Sequence, residues 1–172
     1  MSLLLRKALR GGRGIRHEDH FGNCVGICCI GTVRTFFGAG AAADDPAEIQ
    51  DTDGEYDNDM SLVAKVICGE KKFLFTGDIE KTRIAQMLDS GEDWTADWIK
   101  MPHHGRYQKK VEKLLEAVNP FYAVICDGED QPAEEETLDA LKKRQIKEWE
   151  TADGTVVTIT DGKNIKVRQE NE

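Results

Sequence analysis

Ala96-Asp97-Trp98-Ile99-Lys100-Met101-Pro102-His103-His104-Gly105 reads as a short strand, Asp97 to Met101, that meets a proline and then two adjacent histidines on a turn. A helix or strand would point neighbouring rings apart, so side-by-side histidines between Pro and Gly are hard to explain structurally and read as functional. Phe73-Leu74-Phe75-Thr76-Gly77-Asp78 has the same form: a strand, a glycine that lets the backbone turn sharply, and a carboxylate at the sheet edge. Loops at strand ends are where α/β proteins place their sites. Asp78 has a competing role, as N-cap of the helix that follows it.

Working outward, Ser61 to Cys68 and Lys72 to Phe75 are β-rich runs joined by Gly69-Glu70-Lys71, which predicts a hairpin. Glu80 to Leu88 places Ile84, Met87 and Leu88 on one helical face, and Val111, Leu114, Leu115 and Val118 form a second helical stripe stopped by Pro120. Phe121 to Cys126 has the near-continuous apolar character of a buried strand. A charged helix, Ala133 to Lys143, follows with Leu138 and Leu141 inward. Strands at Ile146 to Thr151, Thr155 to Thr160 and Asn164 to Val167 then close the pattern, separated by Asp-Gly turns. The layout is mixed α/β (α+β) without a Rossmann unit, because no GxGxxG follows the first strand.

The 172 residues fit one domain, 1–172, with a core at 60–168. Residues 1–14 read as a flexible N-terminus: three leucines beside four basic residues make too short an apolar core for a secretory signal. Residues 38–59 read as an acidic mobile loop, since Asp44 to Asp59 holds eight carboxylates and no Lys or Arg. No apolar run approaches the roughly 20 residues that cross a bilayer, so no membrane partner and a cytoplasmic location are expected. A net charge of −9 opposes tight, purely electrostatic binding of nucleic acid. Five cysteines without a CxxC pair fit neither a disulfide framework nor a zinc ribbon; Cys68 and Cys126 read as reduced thiols on buried strands.

All four histidines fall in two pairs. The first pair lies in Ile15-Arg16-His17-Glu18-Asp19-His20, whose imidazoles and carboxylates are ligand types for zinc, manganese or iron. An exposed polar turn explains that stretch about as well.

Asn58-Asp59-Met60-Ser61-Leu62-Val63, the run ending in Asp78, the run ending in Gly105, Asn119-Pro120 and Thr151-Ala152-Asp153-Gly154-Thr155 resemble successive motifs of the metallo-β-lactamase superfamily. The hydrolase domain of ComEC-type DNA-uptake proteins is the branch they are most similar to. The resemblance spans Asn58 to Gly162. It implies an αββα sandwich holding one or two divalent ions, zinc or manganese, that activate water for hydrolysis of a phosphodiester or ester-like bond in a small-molecule or nucleotide-type substrate. Carried over by position, Asp78 matches the metal-binding aspartate and His103 or His104 the later histidine, with Asp78 and His104 expected to carry catalysis. His17, Asp19 and His20 fall on the HxHxDH signature. Ile15 stands where its first histidine belongs, and Gln131-Pro132 where the branch often has His-Pro. The competing expectation is a catalytically inactive remnant of the fold that serves as a binding or assembly module. Because only 14 residues precede Ile15, the N-terminal part of the sandwich is expected to be incomplete. That would leave Val63, Val66, Leu74 and Val124 needing cover, and a homodimer is the expected cover.

Overall fold

The computed structural model describes residues 58–170 throughout and the backbone of Leu3–Lys7, Val25–Cys29 and Val33–Gly38. Along the chain these form β1 (Leu3–Lys7), β2 (Val25–Cys29), β3 (Val33–Gly38), β4 (Val63–Cys68), β5 (Lys71–Phe75), α1 (Lys81–Asp89) and β6 (Trp98–Lys100). Then come α2 (Val111–Val118), β7 (Tyr122–Ile125), α3 (Glu135–Lys143), β8 (Lys147–Glu150), β9 (Thr155–Thr160) and β10 (Ile165–Glu170). The chain is a mixed α/β protein of the α+β class, as its alternating pattern predicts.

Six strands form one sheet in the order β3-β4-β5-β6-β7-β8. The β3, β4 and β5 pairings are antiparallel, and β5 through β8 run parallel. Parallel neighbours need a crossover, and α1, α2 and α3 supply one each. Their apolar stripes pack on a single face of this sheet: Ile84 and Met87 from α1, Leu114 and Val118 from α2 and Leu141 from α3 lie against Leu74, Ile99, Ala123 and Ile125. Burying one such side chain fully contributes roughly 1.5–3 kcal/mol.

The opposite face carries Val66, Phe73, Phe75, Trp98 and Val124 and packs on Val156, Ile165 and Val167 of a second sheet. That sheet has the order β1-β2-β9-β10, with β2 parallel to β9. The expected gap is therefore closed within the chain. Val63, Val66, Leu74 and Val124 are each at most 3% exposed, which removes the reason given for a covering homodimer. The N-terminal strands of the second sheet, β1 and β2, are short, and β1 lies in the stretch expected to be a flexible terminus. Among the described residues α1, α2 and α3 all cover the six-stranded sheet; no helix there covers the outer face of the second sheet.

Two helix ends differ from local expectation. The N-terminal turn of α1 is capped from a distance: Asp59 Oδ1 accepts from the backbone N–H of Glu80 at 2.8 Å and of Arg83 at 3.2 Å. Asp78, expected to compete for that role, is not the cap; Glu80 holds the N-cap position. At the other end of the crossover series, α3 closes with Gln145 N–H on the Lys142 carbonyl and Ile146 N–H on the Leu141 carbonyl, both at 3.0 Å. This closure puts Gln145 at φ 59°, a left-handed position that usually takes glycine and costs a side-chain-bearing residue about 1 kcal/mol.

Candidate functional site

The C-terminal ends of the parallel strands bring Asp78 and the Pro102–Gly105 turn together. Gly77 has φ +61°, and a Cβ there would lie 2.7 Å from Ser61 Cβ. Only glycine lets the strand end turn under the Asn58–Ser61 segment, and Ser61 Oγ then accepts from Asp78 N–H at 3.1 Å. The Gly77 carbonyl receives both Lys100 Nζ, at 2.9 Å, and His103 N–H, at 3.3 Å. Thr76 Oγ1 donates to the Lys100 carbonyl at 2.8 Å and locks the two strand ends in register.

The two histidines occupy consecutive left-handed positions, with φ 45° and 55°. Such conformations are strained for residues other than glycine, and they separate the rings. The ring centroids stand 6.3 Å apart and the planes meet at 69°. His103 turns inward, its Nδ1 3.0 Å from Glu80 Oε1 but without hydrogen-bond geometry, while Asn58 Nδ2 donates to the same carboxylate oxygen at 2.7 Å. It lies beside the Asn58–Glu80 hydrogen bond. His104 turns outward, its Nδ1 2.6 Å from the Cys126 carbonyl and its Nε2 3.7 Å from Asp78 Oδ2. A carbonyl can only accept, so Nδ1 carries a proton and Nε2 is the ring nitrogen turned toward Asp78. Of the two histidines left open by the sequence, His104 is the one that meets Asp78.

Lys100 completes the described site. Its side chain is 3% exposed, and Nζ lies 3.2 Å from Asp78 Oδ1. Burial acts to push the Asp78 carboxyl up, but the Lys100 ammonium, through its charge and its hydrogen bond, together with His104 and His103, holds it below its ordinary value. Asp78 is therefore a carboxylate at neutral pH, with Oδ1 committed to Lys100 and Oδ2 free toward His104. Burial pushes the Cys126 thiol up, against the pull of Lys100, which makes it a poor nucleophile.

A second carboxyl group underlies the turn. Gly105 has φ +76°, and a Cβ there would meet Ile125 Cγ2 at 2.8 Å and Ala133 Cβ at 2.9 Å. The backbone at Ala133 is held in turn by Asp127, whose carboxylate accepts from Ala133 N–H at 3.3 Å and Ala152 N–H at 3.0 Å. Thr151 Oγ1 donates to the Asp127 carbonyl at 2.7 Å. Glu150 lies beside the Asp127 carboxylate and interacts with it. Burial, that interaction and the charges of Asp127, Asp153 and Glu148 push its carboxyl up to about 7.

Sequence reasoning passed over Lys100, Asp59, Glu80, Asp127 and Glu150. Lys100 left one signal, a cation inside a strand otherwise made of Trp, Ile and Met. His17, Asp19 and His20 lie outside the described residues, so their expected convergence on Asp78 is not visible.

The donor set can be tested against a metal. Neighbouring ligands at about 2.0–2.2 Å from a tetrahedral ion stand roughly 3.4 Å apart, so Asp78 Oδ2 and His104 Nε2, at 3.7 Å, fit two corners of one coordination sphere. Among the described residues no group of three His, Cys, Asp or Glu side chains is placed to hold an ion. No helix among them is long and apolar enough to cross a membrane. No family model matches the chain, and no curated protein matches it.

Proposed function

We propose that the chain is a metal-dependent hydrolase of the metallo-β-lactamase superfamily with an αββα-type sandwich, acting on a phosphodiester or ester-like bond. The observation that carries this reading is the orientation of His104: its Nδ1 is anchored on the Cys126 carbonyl and its Nε2 faces the free oxygen of Asp78. Metal-binding histidines are held in this way, with the second ring nitrogen hydrogen-bonded so that the ligating one is presented in a fixed direction. Asp78 and His104 would hold zinc or manganese, with His17, Asp19 and His20 as the further ligands the resemblance implies. A divalent ion there supplies a nucleophile from water at neutral pH. Asp78, held as a carboxylate by Lys100, contributes negative charge and a fixed donor.

The test is metal content after purification without chelator, together with turnover of bis(p-nitrophenyl) phosphate in manganese. Wild-type protein should carry zinc or manganese below one equivalent, and Asp78→Ala and His104→Ala should lose it along with turnover. Equal metal content in wild type and Asp78→Ala would overturn the reading.

One observation favours the alternative of an inactive binding or assembly module. Lys100 Nζ, 3.2 Å from Asp78 Oδ1, already supplies a buried cation to the carboxylate that would hold the ion. No turnover with any divalent metal, with the fold intact, would select this alternative. A homodimer would now have to use other apolar surface, such as Met60 and Leu62, 53% and 56% exposed beside Ser61. Light scattering above the 19.2 kDa chain mass would report it.

A further inference from the structure

The N-terminal ends of the same parallel strands frame an open cleft of about 610 Å³, lined among others by Phe121, Lys142, Gln145, Lys147 and Lys163. The strands rise about 3.3 Å per residue, which puts this cleft roughly 15 Å from Asp78, at the opposite end of the sheet.

Three features of the cleft point to one ligand chemistry. Its wall concentrates positive charge: four lysines face it against Asp97 and Glu148, on a chain whose net charge is −9. Asp97 is already paired with Lys71 at 3.1 Å, whereas Lys142, Lys147 and Lys163 all stand exposed around the opening. Next, Phe121 is 67% exposed, the most exposed large apolar side chain among the described residues. Its ring offers a flat apolar face beside the cleft that a stacked ring could cover. Finally, Gln145 lines the cleft from a left-handed position where glycine would be more stable. A strained residue that keeps its side chain at a cleft is what a binding role looks like.

We propose that this cleft binds a nucleoside phosphate, with the ring against Phe121, the phosphates on Lys142, Lys147 and Lys163, and the Gln145 amide on the polar edge of the ring or sugar. Lysine ammonium groups bind phosphate as point charges, and stacking on an aromatic side chain tolerates any base. The chain's overall negative charge disfavours a long polyanion and leaves a short one that fits within the basic wall. The site is independent of the Asp78 and His104 chemistry.

Calorimetric titration of the full chain with ADP, adenosine and inorganic pyrophosphate, in buffer containing a chelator, tests this. ADP should bind at least about tenfold more tightly than adenosine or pyrophosphate, and the affinity should fall about tenfold or more in high salt. The double variant Lys142→Glu/Lys163→Glu should weaken ADP by about tenfold or more, and Phe121→Ala should bring ADP down toward pyrophosphate. All three positions are exposed, so the variants are expected to fold, and circular dichroism checks it. Asp78→Ala should bind ADP as wild type does. No binding of ADP, pyrophosphate binding as tightly as ADP, or loss of ADP binding in Asp78→Ala but not in the lysine double variant would each overturn the proposal.

Discussion

The two ends of the parallel strands are built on opposite principles. At the C-terminal end the described charges have partners: Lys100 answers Asp78 and the Gly77 carbonyl, Asn58 answers Glu80, and His104 has one nitrogen fixed on the Cys126 carbonyl. At the N-terminal end Lys71 is paired with Asp97 and Lys147 Nζ lies 5.4 Å from the Trp149 ring, while Lys142 and Lys163 stand exposed at an open cleft beside an exposed phenylalanine. The same strands therefore support one site whose geometry is fixed before any ligand arrives and one whose charges are left for a ligand to answer. Stability should be sensitive to substitution at the first and nearly indifferent at the second.

The strongest way to break that contrast is Gly105→Val. The left-handed backbone and the contacts below 3 Å with Ile125 and Ala133 leave no room for a side chain, and a loss of about 3 kcal/mol or more is expected in urea unfolding. A loss under about 1 kcal/mol would mean that the turn yields easily.

Lys100→Met comes next. It leaves Asp78 without its cation and removes one donor from the Gly77 carbonyl, so about 2 kcal/mol should be lost. Adding Asp78→Asn should recover part of that loss, and a double-mutant cycle with no coupling would show that the pair is not a unit.

Glu150 sharpens the comparison through pH. Its folded-state carboxyl is pushed up to about 7 from an ordinary 4.5. Between those values the folded protein holds a proton that the unfolded chain has released. Its contribution to stability is complete below about pH 4.5 and is lost as pH rises through about 7. Solvent screening limits the change to on the order of 1 kcal/mol. Urea midpoints measured across that window should show the decline in wild type and not in Glu150→Gln.

At the open end, Gln145→Gly should raise stability by about 1 kcal/mol or less, because it relieves a left-handed side-chain position. This is the smallest effect, and the only one expected to be favourable.

Much of the helical layer was legible because periodicity is a local signal. The stripe from Val111 to Val118 appears as α2 with those four apolar residues buried, and Thr155 to Thr160 appears as β9 with alternate residues buried. Asp59 was not legible as a cap, because it reaches α1 from outside the helix and no local pattern records that contact. Half of the second sheet was missed for a similar reason, although β9 and β10 were legible: β1 and β2 are five residues long, with no periodic signature, and β2 pairs with β9 from far along the chain. At the site, the residues of the His-His turn stood out by type. Their divergence did not, because it comes from two left-handed residues that sequence statistics would assign to glycine or asparagine. The Asp127 and Glu150 pair was hidden because its chemistry comes from neighbouring strand ends, not from spacing along the chain.

The pairing of β2 with β9 also governs how the chain reaches this state. Val25 lies beside Val156, roughly 130 residues away in sequence, and closing so long a loop costs entropy before its contacts return anything. Until β9 and β10 arrive, Phe73, Trp98 and Val124 have no opposing sheet, so a half-made molecule presents an apolar face to its neighbours. High contact order of this kind slows folding and lengthens the time during which such intermediates aggregate. The yield of native protein should therefore depend on refolding concentration more steeply than its final stability would suggest.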